Sequence, residues 1–223
     1  MNQLAAYDVL SCTTSFDLAD VRAAILPPEQ GKAPLFSQIL RLIHGITLDS
    51  RRCFECSGEH RGTLESTLSG LRCEIEMARG ETLMAAANSS FNSQSQQRDF
   101  VRLVDLYCKA TLMYAHRACY DRTGACDKTI IEDFFRVLDT MEQTERSCQN
   151  LAWPLFIAGT GSRGKPDKQR QVVGIFDKIH SVTGFDHFRE LTEFLTPFWS
   201  GSSNDWLSQA EEWAQRGKRI LAV

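Results

Sequence analysis

Apolar residues recur at helical spacing along almost the whole chain, and this periodicity constrains the fold more than any other feature. Residues 100–120, FVRLVDLYCKATLMYAHRACY, carry one apolar row at positions 100, 103, 104, 107, 110, 114 and 118 and a second at 101, 108, 112, 115 and 119. Two rows at this spacing form a wide apolar face. The segment is therefore predicted to be a helix that is buried on most of its sides.

The same spacing predicts further helices downstream. Thr129 and Glu132 fit a capping box, in which a hydroxyl and a carboxylate satisfy backbone N–H groups at a helix start. The apolar stripe of that helix is Ile130, Ile131, Phe134, Val137, Leu138 and Met141. Three more amphipathic segments follow side chains that can cap a helix, and these are Asp167, Asp186 and Asn204.

Signals for helix ends complete this pattern. Pro197 is predicted to end or bend the helix that starts at Asp186, and Gly217 is predicted to stop the last helix. Upstream, residues 35–48 and 62–79 also have helical spacing. Because no alternation of period two persists and no Asn-Gly or Asp-Gly hairpin dipeptide occurs, strands are not expected.

The predicted fold is all-α, an irregular multi-helix bundle around a buried central helix. Residues 88–99, NSSFNSQSQQRD, are polar and of low complexity, and they are predicted to form a loop between helices. This loop suggests a division into a loosely organised N-terminal helical part, residues 1–97, and a C-terminal helical bundle, residues 98–223. The length of 223 residues suits such a chain, because it can bury a sizeable core.

Composition excludes several classes of protein. A net charge of -3 gives no bulk attraction to nucleic acid or to an anionic membrane. The first residues lack the basic start and apolar core of a signal peptide, and the longest apolar run, residues 151–158, is too short to cross a bilayer. The eight cysteines are therefore interpreted as reduced thiols of an intracellular protein.

Three glycines, Gly159, Gly161 and Gly164, match the G-x-G-x-x-G pattern of a phosphate-binding loop. That loop requires a strand before it and a helix immediately after it, so that backbone N–H groups face the phosphates. Here the residues before it continue a helical segment, and Pro166 follows instead of the serine or threonine of a Walker-type loop. The glycines are predicted to mark a helix end followed by a basic connector, and no cofactor is expected.

A second candidate site is a set of soft metal ligands, Cys53, Cys56, His60 and Cys73. Four such ligands could close a tetrahedral zinc site, but a second C-x-x-C pair is missing. The alternative, unrelated thiols on a loop, is favoured, and no metal site is predicted. His116, His180 and His187 have no carboxylate or cysteine at a fixed spacing, so they are predicted to be structural or solvated and no catalytic residue is assigned.

The most informative stretch is QNLAWPLFIAGT, residues 149–160, which is apolar on all sides and so is typical of a central core helix. It resembles the signature helix of the second family of fungal-specific transcription factor domains, the regulatory region that follows a zinc binuclear cluster in many fungal regulators. The residues that match are Trp153, Pro154, Leu155, Phe156, Ile157, Ala158 and Gly159. YCKATLMYAHRACY upstream and the closing FREL, FLTPFW and DWL segments agree, so the resemblance covers residues 98–223.

Two departures from the family pattern stand out. Thr160, Gly161 and Ser162 replace the usual Cys-Glu-Ala, so the helix is not expected to continue there. No C-x2-C-x6-C half-cluster occurs in the sequence, which is interpreted as a truncated member of the family without direct DNA binding. The proline of the motif is expected to kink the helix or to start a new segment.

The resemblance implies a nuclear regulatory domain without enzymatic activity. Its implied partners are other transcription-regulatory proteins, a second copy of the chain in a homodimer, and a hydrophobic small-molecule effector held between helices. Two alternatives remain open at this point. One is a helical enzyme or small-molecule-binding protein of secondary metabolism, and the other is an interaction adaptor that competes for dimer partners of a full-length regulator.

Overall fold

A computed structural model describes residues 3–28, 35–55, 64–87, 91–121 and 128–223, and within these ranges the regular structure is helical. Ten α-helices follow one another in these ranges: α1 (Gln3–Cys12), α2 (Leu18–Arg22), α3 (Ser37–Glu55), α4 (Leu64–Ala87), α5 (Gln94–Ala115), α6 (Lys128–Asp139), α7 (Thr144–Thr160), α8 (Pro166–Thr183), α9 (His187–Ser200) and α10 (Trp206–Gln215). A π-helical turn, His116–Tyr120, extends α5. The predicted all-α fold is confirmed.

Helix α7 is the centre of the bundle. It packs against α5, α8 and α9, and every residue from Leu151 to Thr160 is buried. Pro154 lies inside this helix, which runs through it without starting a new segment. The prediction of an irregular bundle around a buried central helix is therefore confirmed.

The N-terminal helices pack on the same core. Helix α3 contacts α1, α2, α4 and α5, and α4 contacts α5. One cluster of buried apolar residues contains Val9 of α1, Ile43 of α3 and Ile75 of α4 together with Trp153 of α7. The hydrophobic core thus runs continuously from the first helix to the central one.

The loop predicted at residues 88–99 is too long. Ser93 caps α5, because its hydroxyl accepts a hydrogen bond from the backbone N–H of Gln96 at 3.1 Å, and residues from Gln94 onward are helical. Serine and glutamine signal a loop by composition, but serine is also among the best helix caps. Here the capping role of Ser93 extends the helix into the polar stretch.

Several predicted helix starts are shifted by one or two residues. Thr129 lies inside α6, which begins at Lys128. Helix α8 begins at Pro166, since proline at the first position needs no backbone N–H partner there, and Asp167 lies in its first turn. Asp205 rather than Asn204 caps α10, and its carboxylate accepts from the Ser208 N–H at 3.1 Å.

Helix α9 differs from the prediction at its C-terminal end. Asp186 precedes it as predicted, but its side chain makes no capping hydrogen bond. Pro197 lies inside the helix, which ends at Ser200 before Gly201. Phe198 is buried one residue after the proline, so packing of this last turn outweighs the lost backbone hydrogen bond. Among the described helices, none is both long and apolar enough to cross a membrane.

Candidate functional site

The apolar motif helix places its largest side chain, Trp153, in the middle of the core. Its indole lies 5.9 Å from the ring of Tyr107 in a stacked arrangement and 5.9 Å from the ring of Tyr114 edge-on. The indole N–H donates to the Thr13 hydroxyl at 3.1 Å, so the buried polar atom is satisfied. Trp153 is fully buried by these contacts, which are those of a packing residue.

Gly159 allows a close approach of α7 and α9. A Cβ atom at this position would lie 2.8 Å from Leu195 Cδ1, which is closer than van der Waals contact permits. The carbonyl of Gly159 also accepts a hydrogen bond from the Trp199 indole N–H at 2.9 Å. A side chain at position 159 would therefore require the Leu195 side chain to move or the two helices to shift.

The three glycines of the G-x-G-x-x-G pattern do not form a phosphate-binding loop. The preceding residues, 155–158, are helical, and α7 ends at Thr160 with Gly161 as its C-cap. Gly164 has a φ of 72° in the connector to α8. Because the strand that would aim the loop at a phosphate is replaced by helix, the predicted helix end followed by a connector is confirmed.

The set of soft metal ligands is only partly visible. The Cys53 side chain, Cys56 and His60 lie outside the described residues, whereas Cys73 is exposed on α4. No group of three or more His, Cys, Asp or Glu side chains able to hold a metal ion occurs in the described ranges. A zinc site that includes the Cys53 and Cys56 thiols thus stays outside what the structure describes.

Two of the histidines, His180 and His187, each contact one oxygen atom of a nearby residue. His180 Nε2 lies 3.4 Å from a carboxylate oxygen of Asp186, and His187 Nε2 lies 3.1 Å from the carbonyl oxygen of Val223. Burial lowers the pKa of His187 below its usual value. Neither contact includes a nucleophilic side chain, and both fit a structural role.

A cavity of about 530 Å³ opens between α4, α5 and α6. Small-molecule sites in proteins usually occupy roughly 300–1,000 Å³. Its floor is apolar and its rim is charged, and the lining residues are Arg72, Ile75, Glu76, Arg79, Asp105, Cys108, Lys109, Leu112, Ile130, Asp133 and Val137. Six of these eleven residues are charged, so the cavity combines an apolar part with more charge than the lining of a small-molecule site usually carries.

Ion pairs hold most of the charged rim in place. Arg79 Nε lies 2.6 Å from Asp105 Oδ1, and this hydrogen bond raises the pKa of Arg79 above its usual value. Lys109 Nζ lies 3.9 Å from Asp133 Oδ2. Arg72 has no ion-pair partner among the described residues. Its guanidinium is thus the rim cation best able to receive an anionic group from a ligand.

The thiol of Cys108, at the floor of the cavity, is not an activated nucleophile. Burial, reinforced by the nearby Asp105, raises the pKa of Cys108 to about 12. The side chain therefore carries its proton near neutral pH, and the thiolate is the nucleophilic form of cysteine. Cys108 contributes apolar surface to the cavity rather than an activated nucleophile.

Sequence reasoning did not identify this cavity. Its residues come from three helices that are remote in sequence, and no short spacing links Arg72 to Lys109 or Asp133. The only available signal was the placement of charged residues beside buried ones on α4 and α5, for example Glu76 next to Ile75. That pattern also describes any amphipathic helix, so it could not single out a site.

Comparison with known proteins places the chain in a family. The family model of the fungal specific transcription factor domain matches residues 29–221 of the 223-residue chain. The match begins in the N-terminal part of the chain, well before residue 98, where the motif-based resemblance starts. No curated protein and no solved structure matches the chain.

Proposed function

Because the chain belongs to the family of the fungal specific transcription factor domain, we propose that it is a regulatory domain that controls transcription in the nucleus through contacts with proteins or small molecules. The observation that carries this proposal is the match over residues 29–221. The buried motif of α7 then has a structural role, since Trp153 and Gly159 fix the packing of the helices around it.

A transcriptional assay tests the regulatory role. The chain is fused to an unrelated DNA-binding domain, because its own sequence contains no C-x2-C-x6-C half-cluster, and expressed in a fungal cell with a matching reporter gene. We expect reporter transcription to differ from the level given by the DNA-binding domain alone. The control is Phe156→Asp, which buries a charge in the core and should abolish the effect by unfolding the domain. Equal transcription with and without the wild-type chain would contradict the regulatory role.

The cavity between α4, α5 and α6 is the proposed place for a small-molecule effector. Its apolar residues and the Arg72 guanidinium suit a molecule with an apolar body and one anionic group that lies nearer to Arg72 than to Glu76, the rim carboxylate without an ion pair among the described residues. The hydrophobic effector implied by the family resemblance has such an apolar body, and the cavity adds the requirement of one negative charge. Small-molecule binding is also the non-regulatory alternative for this chain, and the reporter assay distinguishes the two.

The dye 1-anilinonaphthalene-8-sulfonate has this chemistry and serves as a probe of the cavity. We expect its fluorescence to rise on binding, and Leu112→Trp to weaken binding about tenfold, or about 1.4 kcal/mol, by filling the floor. The matched control is Val182→Trp, which adds the same side chain at an exposed position of α8. Equal weakening by both variants, or by neither, would place the dye elsewhere and refute the assignment of the cavity.

A further inference from the structure

One face of α4 is apolar, regular and exposed to solvent. Six small or apolar residues follow the alternating three- and four-residue spacing of a helix-packing seam: Gly70, Cys73, Met77, Gly80, Met84 and Ala87. We call this set the outer stripe. Met77 is 57% exposed and Met84 is 67% exposed. The two methionines lie two helical turns apart on the same side of α4, so one partner helix could contact both.

The outer stripe lies opposite the face that α4 buries in the bundle. The buried face consists of Ile75, Ala78, Thr82 and Ala86, and α4 packs against α3 and α5. At 100° per residue, Met77 and Met84 point about half a turn away from the centre of this buried set. The core of the bundle therefore does not account for an apolar line on the outside of the helix.

The two glycines of the stripe also lack a reason within the fold. A Cβ atom at Gly70 or Gly80 would meet no atom within 4 Å, and neither residue has a positive φ. A glycine inside a helix costs about 1 kcal/mol relative to alanine. Glycines of this kind allow another helix to approach the helix backbone closely. Methionine side chains provide adaptable apolar contact beside them.

Acidic side chains flank the stripe on both sides. Glu74 and Glu81 lie on one flank and Glu76 on the other, and all three are exposed. None of these carboxylates forms an ion pair with another described residue. In a pairing of the stripe with itself, parallel or antiparallel, glutamates would face glutamates, and such like-charge contacts disfavour a second copy of the chain as the occupant.

We propose that the outer stripe of α4 docks a basic amphipathic helix of a partner protein, whose apolar residues cover Met77 and Met84 and whose lysines or arginines face Glu74, Glu76 and Glu81. The apolar seam supplies the contact area, and the three carboxylates select the sign of the partner's charge. This docking deepens the proposed regulatory role by naming the chemistry of a protein contact. A direct binding measurement tests it apart from the reporter assay, so either result can fail alone.

The probe is a fluorescent synthetic helix of about 20 residues with leucines at three- and four-residue spacing and lysines on both flanks. Anisotropy should show binding to the wild-type chain, and binding should weaken as ionic strength rises from about 0.05 M to about 0.5 M. A second peptide with glutamates in place of the lysines should not bind. Met77→Lys with Met84→Lys should weaken binding of the basic peptide at least about tenfold.

The matched control is Val182→Lys with Phe185→Lys, which adds the same two charges at exposed apolar positions outside α4. It should change affinity less than about twofold, and circular dichroism should show both double variants as helical as the wild type. The proposal is overturned if the basic peptide does not bind, if both double variants weaken it equally, or if the glutamate peptide binds as well. Sedimentation showing a dimer that Met77→Lys with Met84→Lys dissociates would assign the stripe to a second copy instead.

Discussion

Asp99 is a buried carboxylate that holds two segments of the chain together. Its oxygens accept backbone N–H groups of Glu142 at 2.9 Å and Gln143 at 2.6 Å, and Arg102 donates to it at 2.8 Å. Gln143 precedes α7 and makes no capping bond with its own side chain. The Asp99 carboxylate, which belongs to α5, therefore satisfies the N–H groups of the two residues that precede the central helix.

Replacing Asp99 by asparagine tests this role. The new amide group would set an N–H₂ donor against backbone N–H donors, and an unsatisfied buried polar group costs about 1–3 kcal/mol. We expect Asp99→Asn to lower the free energy of unfolding in urea by that amount. Asp167→Asn makes the same change at an exposed carboxylate paired with Arg170 and should cost less than about 0.5 kcal/mol. Equal losses in the two variants would show that the bonds from Asp99 to the turn before α7 do not contribute to stability.

Helices α5 to α10 show which features of an element can be predicted from sequence. Their existence follows from apolar spacing, because burying an apolar stripe is the main source of helix stability in a protein. The first residue of each helix is harder to predict from sequence. Pro166, rather than Asp167, opens α8, and the turn before α7 is held by Asp99, more than forty residues earlier in the chain. A hydrogen bond from a remote element leaves no local sequence pattern.

The candidate sites follow the same division. The motif of α7 stood out because Trp153, Phe156 and their neighbours form a continuous apolar run, and such a run belongs to a buried element. The cavity could not be predicted in this way, because it exists only after α4, α5 and α6 pack side by side. Its charges are those of ordinary amphipathic helices until tertiary contacts bring Arg79 next to Asp105.

The N-terminal and C-terminal segments of the described chain contact each other. Thr14 follows α1, and its hydroxyl donates to the carbonyl oxygen of Ile220 at 2.6 Å. Ile220 and Ala222 are buried, and Arg219 lies 3.6 Å from Asp20, which belongs to α2. Helices α1 and α2 precede the family match at residue 29, yet these contacts join them to its last residues.

This closure predicts that the C-terminal segment stabilises the first helix from a distance. Ile220→Ala removes buried apolar volume, and such truncations cost about 2–5 kcal/mol of unfolding free energy. We expect hydrogen exchange of the α1 amides to accelerate more than that of the α6 amides, since Thr14, two residues after α1, hydrogen-bonds to this segment. The control is Arg219→Ala, which removes only an exposed ion pair worth at most about 1 kcal/mol. If Ile220→Ala left α1 exchange unchanged relative to α6, contacts with α3 and α2 would be enough to hold the first helix, and the two ends would not be coupled.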